Sequence, residues 1–122
     1  MKRERLGRID TAIQRALAKL ISTELSDPRL AFTTVTRVEI TEDLQQAKVF
    51  VSIIGDRHQA RQSMEVLRRA AGFLRGGLGH AVDLRHTPEL TFIEDRTTER
   101  AIALEKTFAQ IQHRQEAPHD TP

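Results

Sequence analysis

The chain has 122 residues, 39% hydrophobic and 30% charged, which is room for one compact core and too little for two domains. Five phenylalanines with neither Trp nor Tyr offer few rings for base stacking, and the lack of cysteine excludes disulfides, thiolate nucleophiles and thiolate metal sites. The net charge of +2 is unevenly placed: residues 1–20 hold six basic and two acidic side chains, whereas residues 89–105 hold two basic and five acidic.

Over residues 5–25 the apolar positions Leu6, Ile9, Ile13, Leu17 and Leu20 recur at helical spacing, and Arg5, Arg8, Arg15 and Lys19 project from nearly the opposite side. Ser26-Asp27-Pro28 ends this helix, because Pro28 restricts the residue before it and cannot continue the backbone ladder. Residues 33–40, rich in Thr and Val, read as a strand. So do residues 46–54, where Ala47, Val49, Val51 and Ile53 alternate with Lys48, Phe50 and Ser52. The short polar stretch 41–45 makes the two an antiparallel hairpin whose apolar face has to pack on helices.

Residues 59–78 carry two apolar stripes, Met64, Leu67, Ala71, Leu74 and Leu78 on one side and Val66, Ala70 and Phe73 on another. Such a helix is either buried on two sides or changes direction, and Ala70-Ala71-Gly72 supplies the bend. Four of the six glycines lie between Gly72 and Gly79, so the second half of this kinked pair needs tertiary support, each interior Gly costing roughly 1 kcal/mol relative to Ala. Residues 90–94 read as a third strand. Ala101, Leu104, Phe108 and Ile111 form a final helical stripe that Asp95 or Thr97 caps, and residues 113–122 read as a polar, disordered tail. The expected fold class is α+β, with one domain over residues 1–112 and a three-stranded sheet packed against helices.

Apart from the last helix, this element order is that of a type II KH domain, a small RNA-binding fold. Several strings sharpen the likeness: Asp27-Pro28-Arg29-Leu30, Val38-Glu39-Ile40, Asp43-Leu44 followed by Ala47-Lys48-Val49-Phe50-Val51-Ser52, Ala71-Gly72-Phe73-Leu74-Arg75, Leu84-Arg85, and Pro88-Glu89-Leu90-Thr91-Phe92. Over residues 5–112 the chain resembles the ribosome-binding factor A family. In that family an Ala-x-Gly kink, matched by Ala70-Ala71-Gly72, replaces the GxxG loop of ordinary KH domains. Two positions depart from its pattern: Ala31 stands where many members have Gly, and Gly76-Gly77 where members often have charged residues. The resemblance implies an assembly factor that binds the free small (30S) ribosomal subunit and its 16S rRNA during late maturation and terminal processing. The short chain without a surplus apolar stripe suggests a monomer, the lack of a membrane span or signal segment a cytoplasmic protein, and the absence of catalytic motifs a non-enzymatic one. Adaptation to cold is a common phenotype of the family.

Two basic regions are candidates for RNA contact. The first is Arg3, Arg5, Arg8, Arg15 and Lys19; the second is Arg68, Arg69, Arg75 and Arg85, joined by His80 and His86. Each also has a bland reading as solvated surface charge, and the resemblance favours RNA. A literal GxxG, Gly76-Gly77-Leu78-Gly79, keeps open a generic KH-type single-strand RNA binder. A protein adaptor working through the acidic residues 89–105 is a further alternative. The five histidines show no ligand spacing, the acid pairs Glu42-Asp43 and Glu94-Asp95 sit at strand ends, and no nucleotide-binding or nucleophile motif is present. No metal, cofactor or catalytic residue is therefore expected, and with no apolar run near ~20 residues, no membrane partner.

Overall fold

The computed structural model describes residues 2–96. The expected final helix through Ala101, Leu104, Phe108 and Ile111, its Thr97 cap and the tail at 113–122 lie outside the described residues. Helix α1 (Lys2–Leu20) is followed by strands β1 (Thr33–Ile40) and β2 (Gln46–Ile53), helices α2 (Arg57–Arg69) and α3 (Ala71–Ala81), and strand β3 (Glu89–Glu94).

The apolar stripe of α1 does what its spacing predicts: Leu6, Ile13 and Leu17 are buried, with Ile9 and Leu20 half-buried beside them. The helix runs on through a π-helical turn, Ile21–Leu25, which buries Ile21. Ser26 in the left-handed region (φ 46°, ψ 32°) then reverses the chain. Pro28 therefore does not itself break α1. It opens a separate 3-10 turn, Pro28–Leu30, capped by Asp27, whose Oδ1 accepts from the Arg29 backbone N–H at 2.9 Å, and the turn plugs Leu30 into the core.

Strands β1 and β2 pair antiparallel as expected, with Thr33 opposite Ile53 and Ile40 opposite Ala47. A bulge between Val35 and Arg37 inserts Thr36, and it lets Val35 and Val38 both face the core although they are three residues apart. At the hairpin, Asp43 accepts from the Thr41 hydroxyl (2.6 Å) and the Gln45 N–H (3.1 Å), and Leu44 takes a positive φ of 62°. Strand β3 pairs parallel to β2, Val49 opposite Phe92, so β2 is the central strand. Parallel pairing requires a crossover, which α2 and α3 provide. The three helices cover one sheet face, where Ala47, Val49 and Val51 have no exposure at all.

Helix α2 starts on a capping box, Asp56 accepting from the Gln59 N–H at 2.7 Å and Gln59 accepting from the Asp56 N–H at 2.8 Å. Buried Ser63 donates to the Arg29 carbonyl and ties this helix to the 3-10 turn. The expected kink is present: Ala70 (φ −84°, ψ 0°) separates α2 from α3. Of the two apolar stripes, Met64, Leu67, Leu74 and Leu78 are buried, whereas the second splits, with Val66 buried and Phe73 54% exposed. The chain thus changes direction instead of being buried on two sides.

Among the α3 glycines, a Cβ at Gly76 would meet open space, whereas one at Gly77 would lie 2.9 Å from Cδ2 of Leu20. Gly77 therefore lets α3 approach α1. Gly76→Ala is expected to raise stability in urea unfolding by about 0.5–1 kcal/mol. Gly77→Ala should gain less or lose stability, because Leu20 has to shift; equal gains at both positions would show that the two helices are not in close contact.

Candidate nucleic-acid interface

Arg5, Arg8, Arg15 and Lys19 are all exposed, on the face of α1 turned away from its buried stripe. Arg3 lies in the first turn of the same helix. The inward flank of α1 is fully committed: Asp10 accepts from the Ile40 N–H at 2.8 Å, and the Gln14 amide donates to the carbonyls of Val35 and Thr36, each at 3.2 Å. Among the described residues, no ion pair engages Arg5, Arg8, Arg15 or Lys19. This row of solvated cations lies along one rigid helix, the arrangement that neutralises successive phosphates at little ordering cost.

The second region is less uniform. Arg68 and Arg69 are exposed at the end of α2, and Arg61, two turns earlier on the same helix and absent from the sequence-based candidates, is exposed as well. Arg69 is 3.6 Å from Glu65 in an exposed pair that holds it weakly. Arg75 is exposed but employed: its Nε and Nη2 donate to the Thr87 carbonyl at 3.2 and 2.9 Å, clasping the segment that leads into β3. Arg85 and His86 are exposed within that segment, and His80 in the last turn of α3. Gly76-Gly77-Leu78-Gly79 is the interior of α3, with Leu78 fully buried, so these residues form no loop to clamp a strand of RNA. Ala31 sits at φ −58°, ψ −33°, where no glycine is needed.

The acidic residues serve structure. Hydrogen bonds from Arg29 hold the Asp27 carboxyl below its usual range, and the Thr41 hydroxyl does the same for Asp43. Glu94 accepts two bonds from Arg57, at 2.7 and 2.8 Å, joining the start of α2 to the end of β3. Those bonds hold the Glu94 carboxyl below the usual glutamate range, with Coulombic help from Arg57, Arg96 and Arg68. Asp95 accepts from Thr36 at the bulge. On the sheet face away from the helices, the Arg37 guanidinium lies 4.1 Å from the centroid of half-buried Phe50. Among the described residues there is no cluster of potential metal ligands, and no helix is long and apolar enough to cross a membrane.

A helix-covered three-stranded sheet with its α2–α3 kink at Ala70 defines a KH-like α+β domain, here bearing a basic helix face. Residues 5–108 match the sequence model described as Ribosome-binding factor A, and the chain belongs to that family. A relative of that name from Desulfitobacterium hafniense (strain DSM 10664 / DCB-2) is 40% identical over 116 residues, 95% of this chain and 93% of the relative. The crystal structure of ribosome-binding factor A from Thermus thermophilus superposes with a TM-score of 0.69 at 29% identity, covering 75% of this chain and 98% of that one. A Thermus thermophilus ribosome-binding factor A homology model, fitted into the cryo-electron-microscopy map of a 30S complex of that factor, superposes at 0.62 with 31% identity, covering 74% of this chain and 94% of that one.

Because folding lowers the affinity of Glu94 for its proton, its contribution to stability is complete above the ordinary glutamate value and is lost as pH falls through the lower folded value. Arg57→Met is expected to cost about 0.5–1 kcal/mol at pH 7 and progressively less as pH falls below the ordinary glutamate range. Denaturant melts across pH check this; a constant difference would show that the ion pair is not the linked group.

Proposed function

We propose that this chain binds the free small ribosomal subunit, on its 16S rRNA, during late maturation and terminal processing of that RNA, and that it catalyses no reaction. The observation that carries the reading is the row of cations on α1 that have no ion pair among the described residues, in a member of a family with a Thermus relative placed in a 30S complex. The functional unit is residues 1–112, acting as a cytoplasmic monomer that matters most in the cold. Arg3, Arg5, Arg8, Arg15 and Lys19 form the principal phosphate-binding surface. Arg68, Arg69 and Arg85 extend it beside the kink at Ala70, Ala71 and Gly72, while Arg75 positions the segment carrying Arg85.

The mechanism is differential binding. A rigid basic surface that fits one arrangement of structured RNA raises its population, tenfold for every ~1.4 kcal/mol of preference. A chain with five phenylalanines and no Trp or Tyr suits recognition by shape and phosphate more than base-by-base stacking.

Co-sedimentation with free small subunits, large subunits and joined ribosomes across a salt series tests the reading. Selective, salt-sensitive association with the free small subunit is expected; equal association with all three would overturn it. Arg8→Glu combined with Arg15→Glu should weaken that association at least tenfold at low salt and flatten the log–log salt slope by about 1.5. Unchanged affinity would remove α1 from the interface.

A further inference from the structure

Between α1 and α3 the surface opens into a groove of about 440 Å³. Its floor is where Leu20 meets Gly77; Lys19 and Glu24 stand on the α1 side, and Phe73 and His80 on the α3 side. Phe73, Gly77 and His80 lie four and three residues apart, on one stripe of α3, and because Gly77 has no side chain nothing from that turn covers the ring. A half-exposed phenylalanine is a costly surface group in a chain with so few aromatics. Among the described residues the other two strongly exposed large apolar side chains, Phe32 and Ile54, are bonded backbone to backbone to each other and line a separate pocket with Pro28 and Gln59. Phe73 is therefore a single ring in a polar-rimmed groove and not part of a broad apolar patch.

We infer that this groove receives one unpaired nucleotide of ribosomal RNA, its base stacked on Phe73 and its flanking phosphates met by Lys19 and the α1 row. This rests on the proposed binding of small-subunit RNA. Three features favour a nucleotide over a protein side chain. The ring is more than half exposed, as stacking on a planar base requires; the adjoining α1 stripe is cationic and without ion pairs among the described residues; and His80 supplies an exposed imidazole in the same groove. Among the described residues Glu24 is the single carboxylate lining the groove, and it sits in the π-helical turn beyond Lys19, which places the phosphates toward the Arg15 end.

The test uses the full chain and free small subunits. Base–aromatic stacking is worth roughly 1–3 kcal/mol per base, so Phe73→Ala should weaken binding about 5- to 150-fold. Phe73→Leu keeps an apolar side chain on α3 and should lose nearly as much; binding by this variant as tight as that of the parent would overturn the stacking role. Phe73→Trp should retain binding and, as the chain has no other Trp, give an emission that is quenched by the subunit. Emission that brightens and shifts to the blue would mark contact with a ribosomal protein and overturn the inference. If the parent protein binds small subunits selectively and Phe73→Ala binds equally well, only the groove assignment falls; if the parent shows no such selectivity, the assembly-factor reading falls with it.

Discussion

The domain depends on α1 meeting two neighbours at once. Its stripe of Leu6, Ile13 and Leu17 lies over the sheet, chiefly against β1, while Leu20 reaches the bare backbone of Gly77 in α3. A small sheet needs its apolar face covered, and here helices lie over it, α1 against β1 and α2 and α3 against β3, so that Ala47, Val49 and Val51 of the central strand are fully buried. Gly77 weakens α3 as an isolated helix and is also what allows α1 and α3 to close over Leu20. Local helix propensity and tertiary packing disagree at this residue, and packing prevails.

The candidate interface follows from that arrangement. Once the inner stripe of α1 is spent on the core and Asp10 and Gln14 on the edge of β1, the remaining side chains face water, and there the sequence places Arg5, Arg8, Arg15 and Lys19. The α2–α3 kink has a different consequence. By changing direction at Ala70 it buries Leu74 and Leu78 while turning Phe73 outward beside α1. The same bend that completes the core exposes an aromatic ring beside the basic helix.

Much of this is legible in the residues. The stripe of α1, the alternation of Ala47, Val49 and Val51, and the bend at Ala70-Ala71-Gly72 are local patterns, and the fold obeys them. What escapes depends on contacts between distant segments. Val35 and Val38 cannot share a face in a regular strand, so the bulge at Thr36 follows from the pairing with β2 and not from the strand's own sequence. Asp10 and Gln14 look like ordinary surface polars until β1 lies beside them. Arg75 looks like its basic neighbours until Thr87 folds back within reach, and Phe73 shares a helical spacing with Val66 but not its surroundings. Pro28 carries the stronger local signal for a helix end, yet Ser26 ends the helix first.

The bonds from Asp10 and Gln14 also govern how the domain meets its own kind. An edge strand shows free N–H and C=O groups that invite another strand, the usual first step toward intermolecular sheets. On β1 the Ile40 N–H and the Val35 and Thr36 carbonyls are already taken by side chains of a helix lying along the strand. A strand arriving at those positions would have to displace the Asp10 and Gln14 side chains before bonding there. Protection of that edge is therefore set by two polar side chains of α1 and not by the strand's own residues.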